Sequence, residues 1–140
     1  MSRAVIVERV YPYPPERVWR ALTDRQALAE WLMPTSDFEA KVGHKFTFNV
    51  GPQRFWRGYV DCEVLETDEP RRLSYTWVGD PKHPPTVVTW TLTAVQEGTL
   101  LRLEHTGFRG LRGLIDTWML GSGWKKMLSK KFPAALARLE

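Results

Sequence analysis

Apolar and polar residues alternate along the middle of this 140-residue chain, and this period-2 pattern predicts β-strands with one buried face. The clearest run is residues 55–65, whose apolar face carries Trp56, Gly58, Val60, Cys62 and Val64. Similar runs cover residues 4–11, 45–50, 73–77, 88–94 and 99–106. A tight turn at Glu97-Gly98 precedes the last run. We therefore predict consecutive antiparallel strands.

Two short helices are predicted between the first strand and the second. Pro15 suits the first turn of a helix that runs to Leu22, because an amide hydrogen has no intrahelical acceptor there. Thr23 and Gln26 have the spacing of a capping box, so a second helix is expected to start at Thr23 and to end before Pro34.

A long helix is predicted at the end of the chain, from about Leu114 to Leu139. At roughly 100° per residue, one side of it collects Leu114, Trp118, Gly121, Leu128, Phe132, Leu136 and Leu139. Pro133 removes a backbone hydrogen bond, so a kink is expected near residues 129–133. We attribute Gly121 and Gly123 to close approach of the sheet. The strands and this helix predict one α+β domain over residues 1–140, with a curved sheet around the helix.

Composition sets further limits. Apolar residues make up 43% of the chain, charged residues 26%, and the net charge is +4, as in an ordinary globular protein. Cys62 is the single cysteine, which excludes an internal disulfide and fits a reducing compartment. The first residues lack the apolar core of a signal peptide, and no stretch reaches membrane-spanning length. We expect a cytoplasmic protein without membrane insertion, either a monomer or a weak homodimer.

Residue spacing gives little support for metal or nucleophilic chemistry. His44, His83 and His105 are far apart, so we predict neither a metal nor a cofactor. Cys62 is interpreted as a small core residue, and the chain has no Gly-x-Ser-x-Gly motif. The lysine pairs at 125–126 and 130–131 are typical of a solvated helix face, with Lys125 in phase with Trp118 and reaching solvent. Nucleic-acid binding is not expected.

Seven tryptophans in 140 residues are the most unusual feature of the composition. They fit two interpretations: a bulky core, or the lining of a cavity of roughly a few hundred Å3, and we favour the cavity because so many large rings are hard to pack without voids. The candidate ligand-binding residues share a predicted inward position. They are Trp31, Phe48, Trp56, Tyr75, Trp77, Trp90, His105, Trp118, Gly121 and Trp124.

His105 has the inward parity of Leu101 and Leu103, and an imidazole there needs hydrogen-bond partners. In a functional interpretation, His105 meets the polar end of a ligand or acts as a general acid or base. Alternatively, it is a core histidine satisfied by the backbone or by Tyr75.

An ordered set of short motifs runs nearly from end to end. It comprises Pro15-Glu16-x-Val18-Trp19, Leu28-x-x-Trp31, Gly43-x-x-Phe46-x-Phe48, Trp56-x-Gly58, Pro70-x-x-Leu73-x-Tyr75-x-Trp77, Val88-x-Trp90-x-Leu92, Leu101-x-Leu103-x-His105-x-Gly107-Phe108 and Gly123-Trp124. In these motifs the chain resembles the START-like (helix-grip, SRPBCC) superfamily, and within it the family named after the activator of the heat-shock-protein-90 ATPase.

The resemblance implies a helix-grip fold, in which about seven antiparallel strands and a long C-terminal helix enclose an apolar cavity. Two features depart from the family pattern: residues 109–121 are rich in glycine and apolar residues, and Pro133 interrupts the last helix.

Because the fold alone does not define an activity, three functions remain open. We favour non-catalytic binding of a small, largely apolar ligand, lipid or aromatic, between the sheet and the C-terminal helix. The second is a cyclase- or hydratase-like enzyme using His105, with Tyr75 as a partner. The third is a stress-response module that binds a chaperone and activates its ATPase.

Overall fold

Six antiparallel strands form one curved sheet in the computed structural model, which describes residues 2–139 apart from the side chains at positions 2, 3 and 111. The strands are β1 (Ser2–Tyr11), β2 (Lys45–Asn49), β3 (Tyr59–Asp68), β4 (Arg72–Trp77), β5 (Thr86–Val95) and β6 (Gly98–Arg109). Their order is β1-β6-β5-β4-β3-β2. The α+β helix-grip prediction is confirmed. The count of about seven strands, which the family resemblance implied, is wrong: each of the six alternating runs in the sequence corresponds to one strand.

His105 lies on β6, between the edge strand β1 and β5. It pairs with Val5 of β1 on one side and with Val88 of β5 on the other. Two residues further along β5, Trp90 lies opposite Leu103 of β6. On its other side, Trp90 lies opposite Leu73 of β4. Since alternate residues face one side, these positions build a continuous apolar surface under the helices.

The two short helices are α1 (Pro15–Thr23) and α2 (Arg25–Trp31). The predicted cap is wrong by one residue: Asp24, not Thr23, is the N-cap of α2, and its carboxylate accepts a 2.9 Å hydrogen bond from the amide of Ala27. Thr23 still belongs to the last turn of α1, where its hydroxyl donates to the carbonyl of Trp19.

The C-terminal helix has three parts: α3 (Gly110–Lys126), a π-helical turn (Met127–Lys131) and α4 (Phe132–Arg138). It begins four residues before the predicted start. The kink expected near residues 129–133 stays a prediction; the structure has this wider turn there, in which the amide of Phe132 donates to the carbonyl of Met127, five residues earlier. Pro133 falls in the first turn of α4, where its missing amide hydrogen costs little.

The core lies between the sheet and the helices. Trp124, Leu128, Phe132 and Leu136 form the buried side of the C-terminal helix. Arg17 of α1 donates from Nε and Nη2 to the carbonyl of Leu136 at 3.2 and 3.0 Å, and also to that of Leu139. The two helical layers are thereby tied together at the end of the chain. Within residues 2–139, no helix is long and apolar enough to cross a membrane.

Candidate functional site

Large aromatic side chains fill the space between the sheet and the C-terminal helix. We call this the aromatic cluster: Trp31, Phe46, Phe48, Tyr75, Trp77, Trp90, Trp124 and Phe132, each at most 9% exposed. The ring centroid of Trp90 lies 5.7 Å from that of Trp31 and 5.5 Å from that of Trp124, and both pairs have edge-to-face geometry. Trp77 is 5.5 Å from Trp124. The predicted lining residues of this set therefore come together, with their rings packed against one another.

His105 is fully buried beside this cluster, and both of its ring nitrogens are engaged. The indole Nε1–H of Trp124 donates to Nδ1 at 3.1 Å, and Nε2 lies 2.7 Å from the hydroxyl of Thr86. An indole can only donate, so Nδ1 is the acceptor and the proton of the neutral ring is on Nε2. The Thr86 hydroxyl then accepts from His105 and donates to the carbonyl of Trp77 at 3.2 Å.

This network gives His105 the character of a neutral structural side chain. Desolvation lowers the pKa of His105 to about 3, because the charged imidazolium would be cut off from water. Of the partners expected for a core histidine, neither the backbone nor Tyr75 is used; Thr86 and Trp124 take their place. The ring can therefore neither gain nor lose a proton near neutral pH without breaking a hydrogen bond.

Tyr75 is bonded to a different residue of the cluster. Its hydroxyl accepts a 3.0 Å hydrogen bond from Nε1 of Trp90, and burial raises its pKa above the ordinary value. The pairing of Tyr75 with His105 that the cyclase-like hypothesis uses is thus absent from the described side chains.

Two predictions for α3 are wrong: the inward position of Trp118 and the close approach of the sheet at Gly123. Trp118 is 76% exposed and lies on the outer side of α3, not the inner. Lys125, two turns further on, is exposed on the same outer side, so it needs no snorkelling to reach water. Gly121 does approach the sheet, since a Cβ there would lie 3.7 Å from the methyl groups of Val5, whereas Gly123 faces open space. The cause of the error is that α3 carries apolar residues on both sides.

Trp56 does not lie on a strand. The alternating pattern extends to it, but Gly58 has φ +86°, which interrupts the extended backbone, and β3 begins only at Tyr59. The half-buried indole of Trp56 donates instead to the carbonyl of Gly79 at 2.8 Å. Trp56 therefore joins two loops at the rim of the sheet.

A small cleft of about 60 Å3, the rim cleft, opens at the same end as His105. Its walls come from the β4–β5 loop, the end of β6 and the start of α3: His83, Pro84, Thr86, Gly107, Phe108, Arg109, Arg112, Gly113 and Asp116. Thr86 lines this cleft and is hydrogen-bonded to His105, and the ring of Phe108 is 4.6 Å from that of His105. Sequence reasoning missed Thr86, although it shares the inward parity of Val88 and Trp90.

A larger open cleft, of about 280 Å3, lies between α2 and β2, away from the aromatic cluster. Its lining is mixed: Ala29, Pro34, Thr35, Ser36, Thr47 and Asn49. Among the described side chains, no group of three or more histidine, cysteine, aspartate or glutamate residues is placed to hold a metal ion. Cys62 is buried, and desolvation raises the pKa of its thiol, so the reactive thiolate is disfavoured.

The family model for the activator of Hsp90 ATPase homolog 1-like protein matches residues 12–137. The chain belongs to this family. The matched region of the activator of Hsp90 ATPase homolog 1-like family begins just after β1 and includes the aromatic cluster, His105 and the rim cleft. The resemblance predicted from the sequence motifs is thereby confirmed. No curated protein matches the chain closely enough to count as a relative.

Solved structures give the same fold. The protein MLL2253 from Mesorhizobium loti is 39% identical, with 99% of each chain covered and a TM-score of 0.84. CalU16 from Micromonospora echinospora is 26% identical over 98% of this chain and 77% of its own, with a TM-score of 0.76. DynU16, a protein in the dynemicin biosynthetic locus, is 26% identical over 96% of this chain and 47% of its own, with a TM-score of 0.78. Family and neighbours together support a ligand-binding helix-grip domain.

Proposed function

We propose that this protein binds a small, largely apolar ligand, a lipid chain or an aromatic compound, between the sheet and the first half of α3, without covalent catalysis. The observation that carries the proposal is the rim cleft. One of its walls is the first half of α3, which has few buried residues. Among residues 110–119, leaving aside position 111, Gly113 is the only one that is buried. A helix segment that contributes so little to the core can shift at small cost.

The rim cleft is too small for such a ligand as it stands. A volume of about 60 Å3 is close to that of two water molecules, whereas small-molecule sites hold roughly 300 Å3 or more. Movement of the start of α3 away from Phe108 would widen this cleft towards the rings of Trp77 and Trp124. A ligand there would contact aromatic faces, with the Thr86 hydroxyl near its polar end.

The state of His105 favours binding over catalysis. A general acid or base works best with a pKa near the working pH and with a nitrogen free to reach the substrate. Here the pKa is lowered to about 3, and Trp124 and Thr86 occupy both nitrogens. The same network keeps the ring fixed, which suits a rigid wall of a binding site.

Thermal unfolding with a panel of fatty acids and polycyclic aromatic compounds tests the proposal. At least one ligand should raise the melting temperature, by an amount that grows with its concentration. For ligands with a polar end, Thr86→Ser should keep the rise and Thr86→Val should reduce it, each measured against its own ligand-free protein. A flat panel for the wild-type protein would contradict the proposal.

Assistance to a chaperone is a second candidate, favoured by the description of the family whose model matches the chain. It is tested by pull-down with the heat-shock protein and by its ATPase rate with and without this protein. An unchanged rate and no capture would exclude it.

A further inference from the structure

The outer side of α3 carries four neighbouring apolar side chains that no described residue covers. Leu114, Ile115 and Met119 are 45–58% exposed and surround Trp118, which is 76% exposed. Their spacing of three and four residues makes one continuous surface, which we call the α3 patch. A contiguous apolar surface with a largely exposed tryptophan marks an interaction site more often than chance exposure.

Basic residues border the α3 patch at both ends. Arg109 and Arg112 precede it, and Lys125 and Lys126 follow it on the same outer side of the helix. Lys130 and Lys131, on the next turn, are also exposed. The carboxylate within this segment, Asp116, is paired with Arg112 at 3.3 Å. The occupant of the patch must therefore be apolar at its centre and negatively charged around it.

From this arrangement we propose that the α3 patch docks on an anionic lipid surface. A tryptophan with Leu, Ile and Met beside a run of lysines is the pattern of an interfacial helix, whose apolar side enters the headgroup region while cations meet lipid phosphates. Trp118 is 76% exposed at the centre of the patch, so its ring protrudes from the helix surface. A fluid lipid surface accepts a protruding ring, whereas a protein partner would have to supply a matching pocket.

Charge disfavours a second copy as the occupant. Two α3 helices related by a two-fold axis at Trp118 and running antiparallel would bring Arg109 and Arg112 of one copy against Lys125 and Lys126 of the other. A parallel arrangement would place lysine against lysine. Like charges face each other in both cases, and this opposes self-association.

A second exposed aromatic ring lies on the loop between β2 and β3. Phe55 is 92% exposed, with the guanidinium of Arg54 over its ring. The next residue, Trp56, is bonded to Gly79 of the β4–β5 loop, and that loop also forms the rim cleft with the start of α3. This apolar-plus-basic pair gives a lipid surface a second point of contact.

Vesicle binding tests the proposal with the whole 140-residue chain. Wild-type protein should co-sediment with vesicles of phosphatidylcholine and phosphatidylglycerol at low salt, and much less with phosphatidylcholine alone. The emission of Trp118 should shift to shorter wavelength on binding, because it leaves water while the fully buried indoles already lack it.

Variants locate the contact. Trp118→Ser should weaken binding about tenfold, and Lys125→Gln with Lys126→Gln by about fivefold for each lysine removed. Val42→Ser, a change at a 61% exposed site on the loop before β2, should leave binding unchanged. Near-ultraviolet circular dichroism confirms that each variant is folded.

Three results would overturn the proposal. The first is wild-type protein that stays in the supernatant with both vesicle types while it remains a monomer, which leaves an acidic protein as the occupant. The second is a concentration-dependent dimer that Trp118→Ser abolishes, with no vesicle binding. The third is vesicle binding that these variants do not change. The proposal is independent of ligand binding in the interior, because soluble ligands in the thermal assay require no membrane.

Discussion

Trp124 and His105 are joined across the core by a hydrogen bond of 3.1 Å, from the indole of the C-terminal helix to the imidazole on strand β6. Both side chains are almost completely buried, so neither finds a replacement partner in water. The bond therefore fixes three things together: the seat of the helix on the sheet, the tautomer of the histidine, and the orientation of Thr86 at the rim cleft.

Loss of this donor should destabilise the fold. Trp124→Phe leaves Nδ1 of His105 buried without a partner, which costs about 1–3 kcal/mol in addition to the smaller ring volume. Urea unfolding measures the change. In a His105→Leu background the acceptor is gone, so the same substitution should cost less; equal costs in both backgrounds would show that the hydrogen bond contributes nothing.

Stability should depend on pH through His105. Its pKa is about 3 in the folded protein and near the ordinary 6.5 in the unfolded chain, so between these values the unfolded state binds more protons. The contribution is complete above about pH 6.5 and is lost as the pH falls towards 3, by up to about 1.4 kcal/mol per pH unit. Unfolding curves from pH 7 to 4 measure the slope. A His105→Gln variant keeps every carboxylate but should lack this part of the slope, and parallel curves would contradict the assignment.

Two glycines should respond to alanine in opposite directions. Gly58 has φ +86°, and a Cβ there would meet the carbonyl oxygen of Gly51 at 1.6 Å, so Gly58→Ala should destabilise by about 2 kcal/mol or more. Gly123 lies inside α3 with open space beside it, so Gly123→Ala should stabilise by about 0.5–1 kcal/mol. Thermal unfolding of the pair checks both signs at once. A destabilised Gly123→Ala would mean that the sheet does approach that position.

Arg17 should stabilise the end of the chain. Its guanidinium donates to the carbonyls of Leu136 and Leu139 at the C-terminal end of α4, and charge-assisted bonds of this kind are worth about 1–2 kcal/mol. Arg17→Leu should lower stability by that amount and speed hydrogen exchange in α4. Arg71→Leu, which removes an exposed pair with Asp68, is the matched control and should change stability by less than about 0.5 kcal/mol. Equal effects would contradict the capping role.

Strand positions were predictable because a strand has a period of two and this sheet buries one face. Val60, Cys62 and Val64 all lie inward as expected. The same rule failed at Trp56, since an unbroken alternation in sequence cannot show that Gly58 turns the backbone. It gave the burial of His105 correctly but not its partners, which come from β5 and from a helix 19 residues downstream.

Helix orientation was less predictable. Trp118 and Trp124 are six residues apart and lie about 120° apart around α3. Trp118 is exposed and Trp124 is buried, and each has apolar neighbours at helical spacing. Periodicity predicts the existence of the helix but cannot decide which of two apolar sides meets the sheet. That choice depends on Gly113 and Gly121, whose missing side chains let the backbone lie close to Phe108 and Val5.

The π-helical turn has a geometric consequence for the whole C-terminal segment. Side chains four residues apart drift by about 40° per step around an ordinary α-helix, so Leu136 would end up about 120° away from Trp124. A turn that holds more residues absorbs part of this drift. The four side chains therefore all stay on the buried side of the helix: Trp124, Leu128, Phe132 and Leu136. Deletion of a single residue from an exposed site in that turn, such as Ser129, would therefore give a regular helix that keeps Phe132 and Leu136 directed inward.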